Sequence, residues 1–87
     1  MADMKETQSI NTIMNQQVEV SQVLESVCSA LRAKGYNPIS QLVGYIMSGD
    51  PTYITSFNGA RSMIMKVERD EILDELIQFY ISEKEKK

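Results

Sequence analysis

Histidine is absent from the 87 residues, and cysteine occurs once. The first absence removes the side chain that most often serves as a general acid or base near neutral pH. The second leaves no disulfide framework and fits a reducing cytoplasm. Without His, the lone Cys28 has no base to activate it and reads as a small core residue, and no Cys/His metal-ligand spacing exists. No apolar run approaches a signal-peptide core or a membrane span, so a cytoplasmic protein without membrane insertion is expected. Cations are also scarce: nine Lys and Arg stand against twelve Asp and Glu, for a net charge of −3 and a pI near 4.8. Phosphate backbones are held by clustered Lys and Arg, so nucleic acid is a poor partner. Gly-rich phosphate loops and the nucleophile-elbow motif are missing too. No cofactor and no catalytic residue is expected.

What remains is an all-α pattern. No stretch alternates with strand period. The chain is one domain, and a chain this short buries only about 60–65% of its unfolded surface. Self-association is a common remedy, so a homodimer is expected. Residues 1–17 carry no sustained periodicity and predict a flexible N-terminal arm bearing Thr7, Ser9 and Thr12. Residues 18–82 predict a compact bundle of about five short helices, and 83–87 a charged, fraying tail.

Helix boundaries are written in Gly, Pro and Asx residues. Val20, Val23, Leu24, Val27, Cys28 and Leu31 form one stripe at helical spacing, predicting a helix from Val18 to Lys34 that Gly35 ends. Asn37-Pro38 starts the next helix, with Asn as N-cap and Pro at the first turn; it runs to Ser48 and stops at Gly49. Ile39, Leu42, Val43, Ile46 and Met47 are its expected apolar face, and Ser40, Gln41 and Tyr45 its exposed positions. Gly44 inside it predicts the close approach of another helix, including one from a second subunit. Asp50-Pro51 repeats the start signal for a single turn reaching Ile54. Phe57 is the expected core anchor of the following loop. A helix from Asn58 or Gly59 to Glu68 would bury Ala60, Met63, Ile64 and Val67. A break is expected near Arg69, with Asp70 as the next cap, and a last helix to Ser82 would bury Ile72, Leu73, Leu76, Ile77 and Tyr80.

Chemistry-bearing clusters are few. Glu68, Asp70, Glu71, Asp74 and Glu75 could hold a divalent cation or act as an acid/base pair. Their place on a solvent face and around a helix N-terminus explains them without either role. Arg61, Lys66 and Arg69 are candidate partner-binding residues for an anion or an acidic surface. Two helices joined by a turn also invite a helix-turn-helix reading, but Pro38–Ser48 holds no Lys or Arg to meet DNA. A nucleic-acid module and a purely structural dimer are the alternatives to a regulatory binding protein.

The turn-rich centre also resembles a known family. Lys34-Gly35-Tyr36-Asn37-Pro38-Ile39, then Gln41-Leu42-Val43-Gly44-Tyr45, then Ser48-Gly49-Asp50-Pro51 with Tyr53-Ile54 are similar to the signature of the IreB family. The Ala60-Arg61 pair and the run Glu-Arg-Asp-Glu-Ile-Leu-Asp-Glu-Leu from Glu68 extend the likeness over Glu19 to Ile81. The resemblance implies an all-helical, non-enzymatic homodimer of the Gram-positive cytoplasm. It implies a substrate of the membrane-anchored Ser/Thr kinases with extracellular PASTA repeats. Through them the family links cell-wall status to peptidoglycan synthesis and cephalosporin tolerance, in some members through ClpCP-dependent proteolysis of MurA. The family phosphoacceptor is a threonine of the N-terminal arm in an acidic-Thr context, which Glu6-Thr7 matches; a second arm threonine of some members falls on Met4. Thr55-Ser56 replaces a usual Pro-Arg, Met65 stands at a usually basic position, and Gln8-Ser9-Ile10 replaces a basic or aromatic pair. The basic surface is thinned accordingly.

Overall fold

The computed structural model describes residues 19–86. The expected arm, including Thr7, lies outside them. Among the described residues there are four α-helices, two single 3-10 turns and no strand. Helix α1 (Val20–Ala33) supplies the centre of the core. Val23, Leu24, Val27, Ala30 and Leu31 are buried along one face, with Val20 and Cys28 half-buried at its edge. The helix closes as Gly35 predicts. The Tyr36 N–H donates to the Leu31 carbonyl at 2.8 Å and the Gly35 N–H to Arg32 at 3.0 Å, with Gly35 at φ 85°. This left-handed closure satisfies carbonyls that would otherwise lack partners.

Helix α2 (Pro38–Ser48) has the expected ends and a different buried face. Its core residues are Leu42 and Tyr45, the latter 6% exposed, with Ile46 half-buried. Ile39 is 74% exposed and Met47 78%, and Val43 is exposed between them. Tyr45 is thus a core residue, not a surface one. The aromatic ring is the largest apolar group the helix can bury, and seating it turns the Ile39–Val43–Met47 stripe outward. Gly44 is also corrected. A Cβ there would overlap the Tyr53 ring, so the close neighbour is an aromatic side chain from the next turn of the same chain.

The 3-10 turn η1 (Pro51–Tyr53) delivers Ile54 into the core, where it is fully buried. Ile54, rather than Phe57, is the anchor of this loop. Phe57 opens the second 3-10 turn η2 (Phe57–Gly59) and is exposed, its ring 5.1 Å from the Lys34 ammonium. Helix α3 (Ala60–Ile64) is only five residues long, and buries Ala60 and Ile64 against α1. The expected helix to Glu68 stops four residues early, at Ile64; the break spans Met65–Glu68, just before the expected kink near Arg69, and Val67 in it is buried. Helix α4 (Arg69–Glu85) is capped two residues before the expected Asp70. Glu68 takes the N-cap position, with its N–H donated to the Glu71 carboxylate at 2.9 Å. Only Ile72 of the expected α4 stripe is buried. Leu73, Leu76, Ile77 and Tyr80 are exposed, together with Phe79 and Ile81. The body of one chain ends before α4 does, so this helix carries apolar groups past the core. No helix among the described residues is long and apolar enough to cross a membrane.

Candidate functional site

The turn-rich segment from Gly35 to Ile54 and the basic residues after it form one connected unit. Its first half is built locally. Asn37 Oδ1 accepts from the N–H groups of Ile39 (2.9 Å) and Ser40 (3.2 Å), while Pro38 fills the first helical position. At the other end of α2, Ser48 Oγ donates to the Gly44 carbonyl at 2.7 Å and accepts from the Asp50 N–H at 3.0 Å. Gly49, at φ 75°, returns its N–H to the Tyr45 carbonyl at 2.7 Å. Asp50 Oδ1 then accepts from Thr52 twice, from the hydroxyl at 2.7 Å and the N–H at 3.0 Å. The Thr52 hydroxyl, its N–H and the nearby Arg61 charge hold the exposed Asp50 carboxyl below the ordinary aspartate pKa. Gln41 Nε2 donates to the Tyr53 carbonyl at 2.8 Å, which closes η1 onto α2.

The second half is tertiary. Arg61, half-buried on α3, donates from Nε to the Ile54 carbonyl at 2.9 Å. Arg69, at the first turn of α4, donates from Nη1 to the Ile46 carbonyl at 2.8 Å. Its guanidinium lies against Gly49, where an added Cβ would stand 2.9 Å from Cζ. Two of the three candidate partner-binding cations therefore clasp the ends of the segment from Ile46 to Ile54. The third, Lys66, is exposed in the turn between α3 and α4; its N–H donates to the Met63 carbonyl at 3.1 Å, and its ammonium makes no hydrogen bond or ion pair among the described residues. Ser56 and Met65, where the resemblance leads one to expect cations, are both exposed on this side of the chain sequence between η1 and α4.

The remaining signature residues divide by role. Gly35 and Gly49 close helices, Asn37, Pro38, Asp50 and Pro51 open them, and Gly44 admits Tyr53. Ser48 bridges two turns, and Tyr45 fills the core. Tyr36 and Tyr53 keep exposed edges. The arginine contacts have no local sequence signal, because they join residues 7 and 23 positions apart. The acidic cluster is spread along the surface of α4. Glu71 turns back to the Glu68 N–H, and Asp74 accepts from Gln78 at 2.7 Å. Among the described residues no three Cys, Asp or Glu side chains stand close enough to share a metal ion. A groove of about 390 Å³ runs between α1 and α4, floored by Leu24, Cys28, Leu76 and Phe79.

Comparison with known proteins gives two findings. Residues 5–82 match the family described as IreB regulatory phosphoprotein. A UPF0297 protein of Lachnoclostridium phytofermentans is 54% identical over 81 residues, which are 93% of this chain and 92% of that one.

Proposed function

Because the chain belongs to the IreB family of regulatory phosphoproteins, we propose that it is a non-enzymatic cytoplasmic switch phosphorylated on Thr7 by a PASTA-repeat Ser/Thr kinase. Its output is control of peptidoglycan synthesis, and with it cephalosporin tolerance, through a protease-adaptor route such as ClpCP-dependent turnover of MurA. The observation that carries the reading is the reach of the family match: it starts at Lys5 and so takes in Glu6-Thr7. Most of the chain's remaining side-chain chemistry is structural, which supports a protein that acts by contact.

Phosphate on Thr7 adds roughly −1.5 to −2 charge and three strong acceptor oxygens. Arg61 is half-buried and fixed on Ile54, so it is the weaker receiver. Lys66 is exposed, and Arg69 commits one of the five N–H donors of a guanidinium to Ile46. The phosphorylated arm is received at Lys66 and the outer donors of Arg69, or it repels an acidic partner from that surface. The same reading includes a homodimer. It is supported by the outer half of α4, where Phe79 is 62% exposed and Tyr80 64%. Contiguous apolar groups of this size on a small chain mark a contact surface.

The test is phosphate transfer in vitro from the membrane-anchored kinase of the source cell to wild type and Thr7→Ala. Thr7→Ala should lose the incorporation that wild type shows. Label that persists and maps to Thr12 or Ser9 refutes the site, and a wild type that takes no label refutes the kinase reading.

A further inference from the structure

Asn58 and Gly59 follow one another on an exposed turn, and three features of that turn make it chemically distinctive. Asn58 sits at φ 54°, ψ 29°, the left-handed region that side chains rarely adopt and that Asn tolerates better than most. Gly59 follows at φ 72°, and the space where its Cβ would stand is open for 4 Å around. The Asn58 side chain makes no hydrogen bond among the described residues and is exposed. Asn37 is the counter-example within the same chain: its carbonyl oxygen is held by two N–H groups, and the next residue, Pro38, has no N–H.

We propose that Asn58 is a site of spontaneous deamidation, with the Gly59 backbone nitrogen as nucleophile. A solvent base takes the Gly59 N–H proton, and the nitrogen attacks the Asn58 side-chain amide carbon. The bond formed is from that nitrogen to Cγ; the bond broken is Cγ–Nδ2. The departing nitrogen takes up a proton and leaves as ammonia, and a five-membered succinimide remains. Water then opens the ring at one carbonyl or the other. One opening gives aspartate; the other gives isoaspartate, in which the main chain runs through the former side chain. The net change is amide plus water to acid plus ammonia, with no oxidant or cofactor. Glycine carries no side chain beside the attacking nitrogen, and the open space around it admits the base.

The turn also sets the rate. The Gly59 N–H donates to the Ser56 carbonyl at 3.1 Å, and ring closure needs that bond broken and ψ rotated away from 29°. A single exposed hydrogen bond in a three-residue turn opens locally, without unfolding the domain. The products do not fit back equally. Aspartate keeps the main-chain length and adds one negative charge. Isoaspartate inserts an extra methylene between Phe57 and buried Ala60, which displaces α3 or the Phe57–Lys34 contact.

The test is a time course on the full-length folded protein in mildly alkaline buffer at growth temperature. It is read by peptide mass mapping and by enzymatic methylation specific for isoaspartate. Acid and isoaspartyl forms should accumulate at Asn58, at a rate that rises in proportion to hydroxide, while Asn37 keeps its amide. Gly59→Ala should slow the conversion several-fold. Because Ala is strained at φ 72°, the same pair is compared in the urea-unfolded chain, where the fold plays no part. Conversion of Asn58 in the unfolded chain with none in the folded protein overturns the proposal, because the turn then protects the site. An equal rate for wild type and Gly59→Ala in urea overturns it as well, because Gly59 is then not the attacking residue's advantage.

Discussion

Replacing Gly44 by Ala probes the contact at the middle of the signature, and its sign should depend on a second residue. Gly costs about 1 kcal/mol relative to Ala inside a helix, so on propensity alone Gly44→Ala would stabilise α2. The added methyl, however, occupies the space of the Tyr53 ring. Forcing a methyl into a filled site costs typically about 1–3 kcal/mol. The net expectation in the wild-type background is a loss of about 0–2 kcal/mol, the difference of the two terms. In a Tyr53→Ala background the ring is gone and the propensity gain survives. Gly44→Ala should then raise stability by about 1 kcal/mol. The coupling between the two sites is about 1–3 kcal/mol, the size found for residues in direct contact. Urea denaturation of the four proteins of this cycle measures it. In a domain of this size, 1 kcal/mol corresponds to a midpoint shift of about 4–8 °C on heating, so both methods resolve the effect. Equal effects of Gly44→Ala in the two backgrounds would refute the contact. An effect that varies with protein concentration would return Gly44 to the subunit interface.

Two further outcomes follow from other contacts. Asp50 has its carboxyl pKa depressed in the folded state, so its ionised form contributes stability that is complete above the unfolded aspartate value of about 3.9 and is lost as pH falls through the lower folded value. Thermal melts of wild type and Asp50→Asn should therefore differ at neutral pH and converge on acidification; a gap that widens in acid contradicts the assignment. If the chain pairs through α4 as proposed, Phe79→Glu combined with Tyr80→Glu should shift its sedimentation from dimer to monomer with little change in helix content. A wild type that already sediments as monomer, or a coefficient unchanged by the substitutions, refutes that interface.

The sequence made some of this readable and hid the rest for physical reasons. The helix boundaries at Gly35, Asn37-Pro38, Gly49 and Asp50-Pro51 were legible because a cap is satisfied within a few residues of itself. The α1 stripe was legible because Glu25 and Arg32 mark the outward side. In α2 no charged residue exists to define outside. Periodicity gave a helix without its rotation, and Tyr45 turned in where Ile39, Val43 and Met47 were expected. In α4 the apolar stripe is real, but a helix outrunning its own core leaves Leu76, Ile77 and Tyr80 uncovered. The break before α4 was visible as a five-residue gap in the stripe between Val67 and Ile72, and its cap was misplaced because Glu68 is an uncommon N-cap. Of the candidate site, the charge of Arg61 and Arg69 was legible and their use was not. Carbonyls of Ile54 and Ile46 come into reach only after the chain has folded back.

The Arg69 clasp also orders events during synthesis. The caps at Asn37 and Asp50 close with residues made within moments of them. The Ile46 carbonyl receives Arg69 only after 23 further residues have been added. At ordinary ribosomal speeds of 5–20 residues per second, that delay is about 1–5 s. A product truncated before Arg69 lacks the donor of this contact and leaves the Ile46 carbonyl without it. Closure of the clasp reports that translation has passed Arg69.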